Sequence, residues 1–360
     1  MKKAYIFGAH SRGRTLAEYL RELKTEEKLL AFLVDNDEEN PDEIDGLPVI
    51  QLPHAADAEL EKDAIVYLGI RGAGQGVVTA RLQNLGFSEI VPVTVELDIE
   101  LRNEYMEKKF SAEKRAFEKL GDLAASGRAK GSSCIYVVRS IYDKPLLDNR
   151  YVSLPEEKLI QVGAALTEER IPECSFQDNT GENISEKNRQ YCEETALYWI
   201  WKQAKEDFIG LVHYRRHFLL PNDWQLRMEK YGIDVVLPTP LYLPDSIGEN
   251  FCFRHEAPNW EYLMEFLKDR NHDEYLSAKE YYTGNIFCPC NMFVMRREVL
   301  NRYCSWLFPI LFALEENGGV LEDSYQNRYP AFIAERLLSW YFEAHREEYH
   351  IVYSDKNFLA

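Results

Sequence analysis

The stretch that decides the fold runs from residue 207 to residue 217 and reads Asp-Phe-Ile-Gly-Leu-Val-His-Tyr-Arg-Arg-His. Residues 208–212 are wholly apolar, as expected for a strand buried on both faces of a sheet. In open α/β sheets, ligands gather at the carboxyl ends of the strands. Because arginine binds phosphate oxygens through two parallel hydrogen bonds, the pattern predicts an anion clamp for a diphosphate, made by His213, Arg215 and Arg216. The alternative is a structural cluster of ion pairs with some of the surplus carboxylates.

The chain on either side of this stretch continues an alternation of strands and helices. Apolar runs predict the strands, and amphipathic segments between them predict the helices. The predicted strands lie at residues 134–138, 207–212, 233–237 and 291–295, and the predicted helices at residues 187–204, 298–315 and 331–345. Pro309 falls inside one of these helices, where a proline predicts a kink or a break. The alternation indicates an α/β domain.

The beginning of the chain shows a second pattern of this kind. Residues 3–8 form a short apolar run that ends in glycine, and Gly8-Ala-His-Ser-Arg-Gly13 leads into an amphipathic stretch. Strand, glycine turn and helix begin a Rossmann-type unit, and Asp35 follows Gly13 by 22 residues, where an acidic ribose partner is expected. His10 replaces the second glycine of a dinucleotide site, so its side chain either blocks the pyrophosphate or contacts the ligand. The candidate nucleotide-binding residues are Gly8, His10, Gly13 and Asp35. The alternative is a Rossmann-like domain used only for packing or dimerisation.

Composition marks a boundary between the two patterns. Residues 96–126 are highly charged with spaced apolar positions, which predicts one or two helices, and residues 124–133 are small and polar, as in a linker. We therefore expect a Rossmann-like domain at 1–95, a helical connector and linker at 96–133, and a larger α/β domain at 134–360.

The composition of the chain also excludes several classes of function. Of 360 residues, 42 are Lys or Arg and 60 are Asp or Glu, which gives a net charge of −18, and 46% are hydrophobic. The hydrophobic content supports packed cores rather than long disorder. A surface this acidic repels nucleic acid, so no nucleic-acid partner is expected. The positive charge needed by any phosphorylated ligand must therefore be local.

Apolar runs and cysteines bear on the location of the protein. The N-terminal apolar run is too short for a signal peptide, and no stretch approaches the ~18 apolar residues of a membrane span. The seven cysteines are scattered and include no Cys-x-x-Cys motif, which favours a reduced, cytoplasmic compartment. Cys288-Pro-Cys290 could serve metal or redox chemistry, but buried thiols beside a strand are the favoured interpretation because no second ligand pair stands nearby.

From about residue 135 to residue 352, the sequence resembles a bacterial family of capsular and exopolysaccharide biosynthesis proteins that are regarded as glycosyltransferases. The matching stretches are residues 160–166, 178–188, 191–201, 210–216 (Gly-Leu-Val-His-Tyr-Arg-Arg), 291–295, 303–308 and 334–338. The resemblance implies a GT-A-like fold, which is an α/β unit that binds a nucleotide sugar on a mostly parallel sheet. Residues 7–9, 32–36 and 46–49 resemble the small Rossmann-like domain of sugar O-acyltransferases, which can hold a nucleotide-linked sugar.

The resemblance implies a glycosyltransferase of the hexosyltransferase class. A sugar would move from a nucleoside-diphosphate donor to a hydroxyl of a glycan in cell-surface polysaccharide biosynthesis. Arg215 and Arg216 would stabilise the departing diphosphate, with His213 as a further donor. Glu335 would remove the acceptor proton or orient a sugar hydroxyl, and Asp323 is the second candidate base; a glutamate in a first helical turn is otherwise explained by the helix dipole. The residues expected in the donor or acceptor loops are Gln161, Gly163, Asp178, Asn183 and Asn291.

The sequence departs from the implied pattern at the metal site. In the GT-A fold an Asp-x-Asp after a buried strand usually holds a divalent metal on the donor diphosphate, whereas here the strand runs into His-Tyr-Arg-Arg. The only Asp-x-Asp, residues 35–37, lies in the N-terminal part. A divalent metal is therefore doubtful, no metal ligand is assigned, and the arginine pair is expected to neutralise the diphosphate.

Two other functions stay open at this point. A nucleotide-sugar oxidoreductase needs a Tyr-x-x-x-Lys pair, which Tyr105 and Lys109 match only within a highly charged helical segment. The other is a non-enzymatic nucleotide-sugar-binding or scaffold protein of a polysaccharide assembly complex. A lipid-linked acceptor would bring the protein to the inner face of the membrane as a peripheral partner. Residues 306–312 could dock there, although that apolar run is better explained as core.

Overall fold

The computed structural model describes residues 1–35, 39–52, 60–70, 72–146 and 151–359. The chain divides into two compact units. The first holds Met1–Ala116 and Tyr242–Pro244, and the second holds Phe117–Leu241 and Asp245–Ala360. Both units are mixed α/β structures with largely parallel sheets, which confirms the predicted fold class.

The first unit is built on one sheet. Its strands are β1 (Lys2–Phe7), β2 (Glu27–Val34), β3 (Glu43–Ile44), β4 (Leu47–Gln51), β5 (Ile65–Leu68) and β6 (Ile90–Pro92), and its helices are α1 (Ser11–Leu23), α2 (Gly72–Asn84) and α3 (Val95–Ala112). The strand order is β3-β4-β2-β1-β5-β6. Strand β3 is antiparallel to β4, and the other pairs are parallel. Without β3, this is the strand order of a Rossmann-type sheet, which changes direction beside β1.

The turn between β1 and α1 explains the spacing of its glycines. Gly8 has a φ of +103°, a left-handed conformation that favours glycine. A Cβ on Gly13 would lie 1.9 Å from the carbonyl oxygen of Gly8. Only glycine therefore lets the first turn of the helix approach the end of the strand this closely. His10 occupies the N-cap position of α1.

The second unit is built on a larger sheet. Its strands are β7 (Ser133–Arg139), β8 (Glu157–Gln161), β9 (Phe176–Gln177), β10 (Phe208–His213), β11 (Val235–Pro238), β14 (Phe293–Arg296) and β15 (Ile351–Ser354), and the short strands β12 (Leu241–Tyr242) and β13 (Ile286–Phe287) lie between β11 and β14 in the chain. The sheet order is β15-β11-β14-β10-β7-β8-β9. Strand β14 is antiparallel to β10 and β11, and the other pairs are parallel.

The described part of the second unit also contains eight α-helices. They are α4 (Asn188–Tyr191), α5 (Glu194–Gln203), α6 (Trp224–Tyr231), α7 (Ile247–Arg254), α8 (Ala257–Arg270), α9 (His272–Tyr282), α10 (Arg297–Gly318) and α11 (Tyr329–Ala344). Helix α11 is buried along most of its length, as expected for a helix that is apolar on several faces.

Strand β10 occupies the middle of the sheet, between β14 and β7. A Cβ on Gly210 would lie 2.9 Å from Cγ1 of Ile135 and 3.1 Å from Cγ2 of Val294. Side chains of the two neighbouring strands therefore fill the space beside this glycine. The apolar residues of β10 are buried, and each such side chain stabilises the fold by about 1.5–3 kcal/mol. This burial fixes the strand that delivers residues 213–216 to the carboxyl edge of the sheet.

The predicted connector, residues 96–133, is divided between the two units. Helix α3 packs on α1 in the first unit, where the rings of Tyr105 and Tyr19 lie 4.8 Å apart. The part of the connector after Ala116 belongs to the second unit. There Lys119 forms an ion pair with Asp355.

Two predicted helices differ from the structure. The helix predicted at residues 187–204 is split into α4 and α5 by Cys192, whose φ of 47° interrupts the helix. The side-chain amide of Asn188 donates to the carbonyl oxygen of Cys192 over 2.7 Å and holds the interruption. Helix α10 continues without a break through Pro309. Pro309 and Ser305, whose carbonyl oxygen loses its helical donor, are both exposed, so water can replace that hydrogen bond.

Among the helices that the structure describes, none combines the length and the apolar character needed to span a bilayer. The apolar run at residues 306–312 lies in α10. Four of its side chains, Leu307, Phe308, Ile310 and Leu311, are buried. Their burial confirms the interpretation of this run as core.

Candidate functional site

The carboxyl ends of β7 and β10 open into a cavity of about 970 Å³ in the second unit. The two strands contribute Val138 and His213 to its wall, and the turn after β8 contributes Gly163. Further wall residues come from the turn after β10, from α4, from residues 320–328 and from Phe358. Its volume lies at the upper end of the range of about 300–1,000 Å³ found for ligand pockets.

A tight turn places both arginines of the predicted clamp on this cavity. The backbone N–H of Arg216 donates to the carbonyl oxygen of His213 over 2.9 Å, and the N–H of His213 donates to the carbonyl oxygen of Arg216 over 3.1 Å. The carbonyl oxygen of Arg215 accepts a hydrogen bond from the N–H of Leu359 over 2.8 Å. The turn is therefore fixed at both ends, and Arg215 and Arg216 line the cavity.

Arg215 and Arg216 have no direct carboxylate partner in the described part of the chain, although Asp143 interacts electrostatically with Arg215. Both side chains are half-buried, and neither forms an ion pair with a described carboxylate. The Nε of Arg215 is buried and has no hydrogen-bond partner. The guanidinium groups instead lie over aromatic rings, Arg215 at 5.2 Å from the centre of Tyr214 and Arg216 at 5.4 Å from that of Phe358. Two further cavity-lining arginines, Arg189 and Arg328, are exposed.

Several arginines elsewhere in the chain form ion pairs with carboxylates. Arg139, at the end of β7, pairs with Asp143 over 3.2 Å. Arg227 pairs with Asp223 over 2.8 Å. The ion-pair cluster that the sequence left open as an alternative is therefore not formed by Arg215 among the described residues.

His213 lines the cavity as an uncharged side chain. Its Nε2 lies 2.6 Å from the carbonyl oxygen of Cys290. Because a carbonyl oxygen only accepts, this contact assigns the proton to Nε2 and leaves Nδ1 with a lone pair. Burial lowers the pKa of His213, although the nearby Glu193 opposes the shift. The prediction of His213 as a further donor to the diphosphate therefore needs correction, since its N–H is already donated to Cys290.

Asp178 holds the loops around the cavity and does not face a ligand. The side chain is fully buried. Its carboxylate accepts hydrogen bonds from the N–H of Gly163 (2.9 Å) and the N–H of Ala164 (3.0 Å). It also accepts from the hydroxyls of Ser185 (2.5 Å) and Thr195 (2.7 Å). Asp178 thus stabilises the loops around the cavity through hydrogen bonds. Of the residues that contact its carboxylate, Gly163 lines the cavity.

Gln161 and Asn183 also satisfy their polar atoms within the protein. The buried Gln161 donates to the carbonyl oxygen of Glu169 and accepts from the N–H of Ile171, both over 2.9 Å. Asn183 donates to the carbonyl oxygen of Gly181 and accepts from the N–H of Ser185. Neither side chain belongs to the described cavity wall. The sequence marked these loops correctly as polar turns, but their amides stabilise the turns themselves.

Neither of the two predicted bases belongs to the described cavity wall. Glu335, on α11, accepts hydrogen bonds from the backbone N–H of Cys290 through Oε1 and from Arg336 through Oε2. Asp323 is exposed and accepts hydrogen bonds from the N–H groups of Tyr325 and Gln326, each over 2.8 Å. Both carboxylates therefore accept hydrogen bonds from the backbone. Glu335 does so at the β13–β14 connection, and Asp323 does so at the start of a helical turn.

The fifth predicted loop residue, Asn291, supports a cavity residue that the sequence did not single out. The side-chain amide of Asn291 donates to Oε1 of Glu193 over 2.9 Å. Glu193 lines the cavity immediately before α5. In the sequence Glu193 is one of two adjacent glutamates ahead of an apolar helix, a position that the helix dipole alone explains. Its contact with a residue 98 positions away could not be predicted.

The predicted nucleotide-binding residues of the first unit lie at the β1–α1 turn and at the end of β2. Gly8 and Gly13 shape that turn, and His10 stands at the beginning of α1. Asp35 forms an ion pair with Arg81 over 2.9 Å. Residues 36 and 37 of the Asp-x-Asp lie outside the described residues.

Tyr105 and Lys109, the candidate hydride-transfer pair, are used in packing. Tyr105 is buried, and its hydroxyl lies 3.0 Å from Oε1 of Glu18. Lys109 lies over the ring of Tyr105 and near Glu22. The arrangement holds α3 against α1.

The described cavity wall carries three carboxylates, Asp143, Glu193 and Glu322, of which Asp143 is paired with Arg139. Within the described ranges, no group of three or more His, Cys, Asp or Glu side chains is arranged as a metal site. Cys288 is buried, and burial raises the pKa of the Cys290 thiol. The protonated form of the Cys290 thiol is therefore favoured beside β14.

A family model described as a domain of unknown function, DUF4422, matches residues 148–347. The chain belongs to the DUF4422 family. That match covers most of the second unit and includes Arg215, Arg216 and Glu193. No curated protein matches this DUF4422 chain significantly.

Among solved structures, the DUF4422 chain is similar to the apo structure of WbbM, a bifunctional glycosyltransferase. The two share 25% sequence identity and superpose with a TM-score of 0.55 over 64% of this chain and 45% of WbbM. The DUF4422 chain thus matches less than half the length of WbbM.

Two further similarities are much weaker. UDP-D-quinovosamine 4-dehydrogenase from Vibrio fischeri is 22% identical, with a TM-score of 0.22 over 26% of this chain and 78% of the enzyme. The Rex-family repressor RSP is 15% identical, with a TM-score of 0.23 over 32% of this chain and 63% of the repressor. Scores this low carry no argument about function.

Proposed function

We propose that this DUF4422 chain is a glycosyltransferase that moves a sugar from a nucleoside-diphosphate donor to a hydroxyl of a glycan. The observation that carries the proposal is the pair of half-buried arginines, Arg215 and Arg216, which line a cavity of about 970 Å³ and form no ion pair with a described carboxylate. In a chain with a net charge of −18, two such cations are expected to find carboxylates unless the site is kept for an anionic ligand. The similarity to the glycosyltransferase WbbM supports the same class of reaction.

In the proposed reaction, the arginines act on the leaving group. As the bond between sugar and diphosphate breaks, negative charge increases on the diphosphate oxygen. Arg215 and Arg216 stabilise that charge with hydrogen bonds that strengthen in the transition state. A half-buried setting makes these contacts stronger than they are in water. No step of this reaction requires a metal ion.

The product of the reaction is proposed to be a cell-surface glycan, such as a capsular polysaccharide or exopolysaccharide. The acceptor is a glycan or a lipid-linked glycan. A lipid-linked acceptor would place the reaction at the inner face of the membrane. Nucleotide binding by Gly8, His10, Gly13 and Asp35 in the first unit stays a prediction. The non-enzymatic nucleotide-sugar-binding protein is the outcome to be expected if the donor binds without turnover.

A donor screen tests the proposal. The full chain is incubated with UDP-, GDP- and dTDP-hexoses and with p-nitrophenyl hexosides as acceptors, and release of the nucleoside diphosphate is measured with and without EDTA. We expect one donor class to react, EDTA to leave the rate within about twofold, and R215A/R216A to lower it at least ~1,000-fold. Arg346, an exposed arginine that pairs with Glu343 on α11, gives the matched control R346A, which should react normally. Complete loss of activity in EDTA, or normal activity of R215A/R216A, contradicts the proposal.

A further inference from the structure

One cavity-lining carboxylate, Glu193, has an oxygen that no described group binds. Glu193 is half-buried, and its Oε1 accepts the hydrogen bond from Asn291. Its Oε2 has no hydrogen-bond donor among the described residues. Of the other acids on the described wall, Asp143 pairs with Arg139, and Glu322 is exposed. Glu193 therefore combines access to the cavity with a fixed position and a free oxygen.

The position of Glu193 is fixed by Asn291, whose own placement is unusual. Asn291 is buried, and its side-chain amide donates both to Glu193 and to the carbonyl oxygen of Ala331, over 3.2 Å. Asn291 and the preceding Cys290 have φ values of 44° and 83°. Left-handed backbone at two successive non-glycine residues is strained and persists only where the surroundings hold it.

The surroundings of Cys290 supply that hold from two sides. Its carbonyl oxygen accepts from Nε2 of His213, and its N–H donates to Glu335. The strained pair is thus tied to the end of β10 and to α11 at once. Strained backbone concentrates at functional sites. These hydrogen bonds therefore indicate that the orientation of the Asn291 amide toward Glu193 has a functional role.

A second glutamate beside Glu193 lies in a different environment. Glu194 is 1% exposed, and its Oε2 is buried without a partner among the described residues. Burial, with Glu193 and Glu335 nearby, raises the pKa of Glu194 well above its usual range. The neutral form of Glu194 is therefore favoured in the core, whereas Glu193 lies on the cavity wall. Adjacent carboxyl groups in different environments are how proteins assign acid and base roles.

We propose that Glu193 is the general base of the site and that Asn291 is its positioning residue. The inference rests on the proposed glycosyl transfer. Oε2 of Glu193 takes the proton of the acceptor hydroxyl as the acceptor oxygen forms its bond to the anomeric carbon. The bond from that carbon to the diphosphate breaks, and its electron pair leaves with the diphosphate, which Arg215 and Arg216 stabilise. The proposal gives this role to Glu193 and not to Glu335, because Glu335 does not belong to the described cavity wall and both of its oxygens already accept hydrogen bonds.

The test measures release of nucleoside diphosphate by five variants with the reactive hexose donor and p-nitrophenyl hexoside of the screen. In E193Q the glutamine still accepts the Asn291 hydrogen bond but cannot take a proton. We expect kcat to fall at least ~100-fold, as for loss of a general base, with KM for the donor unchanged. E193D should recover part of the rate. E347Q removes one negative charge from an exposed side chain that does not belong to the described cavity wall, and it should react like the wild type.

Asn291 is tested through non-additivity. N291A should lower kcat about tenfold without changing donor KM, and it should cause no further loss when combined with E193Q, because both changes act on one group. Thermal unfolding confirms that each variant is folded. The inference about Glu193 is overturned if E193Q turns over like the wild type. It is also overturned if N291A lowers kcat as much in the E193Q background as in the wild type. Either result leaves the proposed function standing. Absence of turnover by the wild type overturns the proposed function and this inference together.

Discussion

The carboxyl edges of the two sheets both carry charged residues of the kind that bind nucleotides. The two edges differ in whether these residues form ion pairs with other side chains. At the edge of the first sheet, Asp35 is paired with Arg81 over 2.9 Å. At the edge of the second, Arg215 and Arg216 stand half-buried on a cavity without a described carboxylate partner. A charge that is neutralised within its unit needs no ligand to explain it. A charge that stays un-neutralised in an acidic chain does.

The same difference distinguishes two kinds of polar residue within the second unit: those that hold the loops in place and those that are available to a ligand. Asp178 has four donors around its carboxylate and does not belong to the described cavity wall, whereas the Nε of Arg215 is buried without a partner among the described residues. Satisfied polar groups hold the site in shape, and unsatisfied ones are left for the ligand. The predictions below test this division, beginning with the largest effect.

The largest effect is expected for D178A, which tests whether Asp178 supports the loops or contacts a ligand. Removal of a buried carboxylate leaves four donors without an acceptor, so we expect the free energy of unfolding to fall by about 3–4 kcal/mol. Urea unfolding followed by far-UV circular dichroism measures it. D323A removes an exposed carboxylate that also accepts two backbone N–H groups and should lower stability by only about 1 kcal/mol. A D178A protein of normal stability that binds no nucleotide would make Asp178 a ligand contact.

Replacement of both arginines by lysine sharpens the comparison. R215K/R216K keeps the two positive charges but loses the paired donors of each guanidinium group. We expect affinity for a nucleoside diphosphate to weaken about 10- to 30-fold, which corresponds to about 1.4–2 kcal/mol, with unchanged thermal stability. Fluorescence titration with a labelled nucleotide measures the change. An affinity equal to that of the wild type would show that net charge alone accounts for binding.

The smallest effect is expected in the first unit. The Asp35 and Arg81 side chains are 31% and 39% exposed, and half-exposed ion pairs contribute about 0–1 kcal/mol. D35N should therefore change the free energy of unfolding by less than about 1 kcal/mol and should leave nucleoside-diphosphate affinity unaltered. Differential scanning fluorimetry and the same titration check both values. Loss of affinity in D35N would move the nucleotide site to the first unit.

The sequence predicted those parts of the molecule that depend on local pattern. The apolar run of β10 and the arginines behind it predicted a buried strand and a charged carboxyl edge, and both are present. The glycine spacing at residues 8 and 13 predicted the β1–α1 turn, because only glycine permits the close approach found there.

The parts that the sequence did not predict depend on partners that are distant in the chain. Glu335 is occupied by the N–H of Cys290, 45 residues away, and Asp178 by Thr195, 17 residues away. Glu193 acquires its fixed position from Asn291. A polar residue looks equally available in the sequence whether or not such a partner exists, so only the folded structure separates supporting side chains from those that face the cavity.

Isothermal titration of UDP, GDP and dTDP into the full chain tests the central claim most directly. The claim is that Arg215 and Arg216 hold the diphosphate of a nucleotide ligand. We predict that at least one of the three binds the wild type and R346A equally, and that R215A/R216A binds it at least ~100-fold more weakly, since each charge-assisted contact contributes about 1.5–3 kcal/mol. Equal affinity of R215A/R216A and the wild type would contradict the claim.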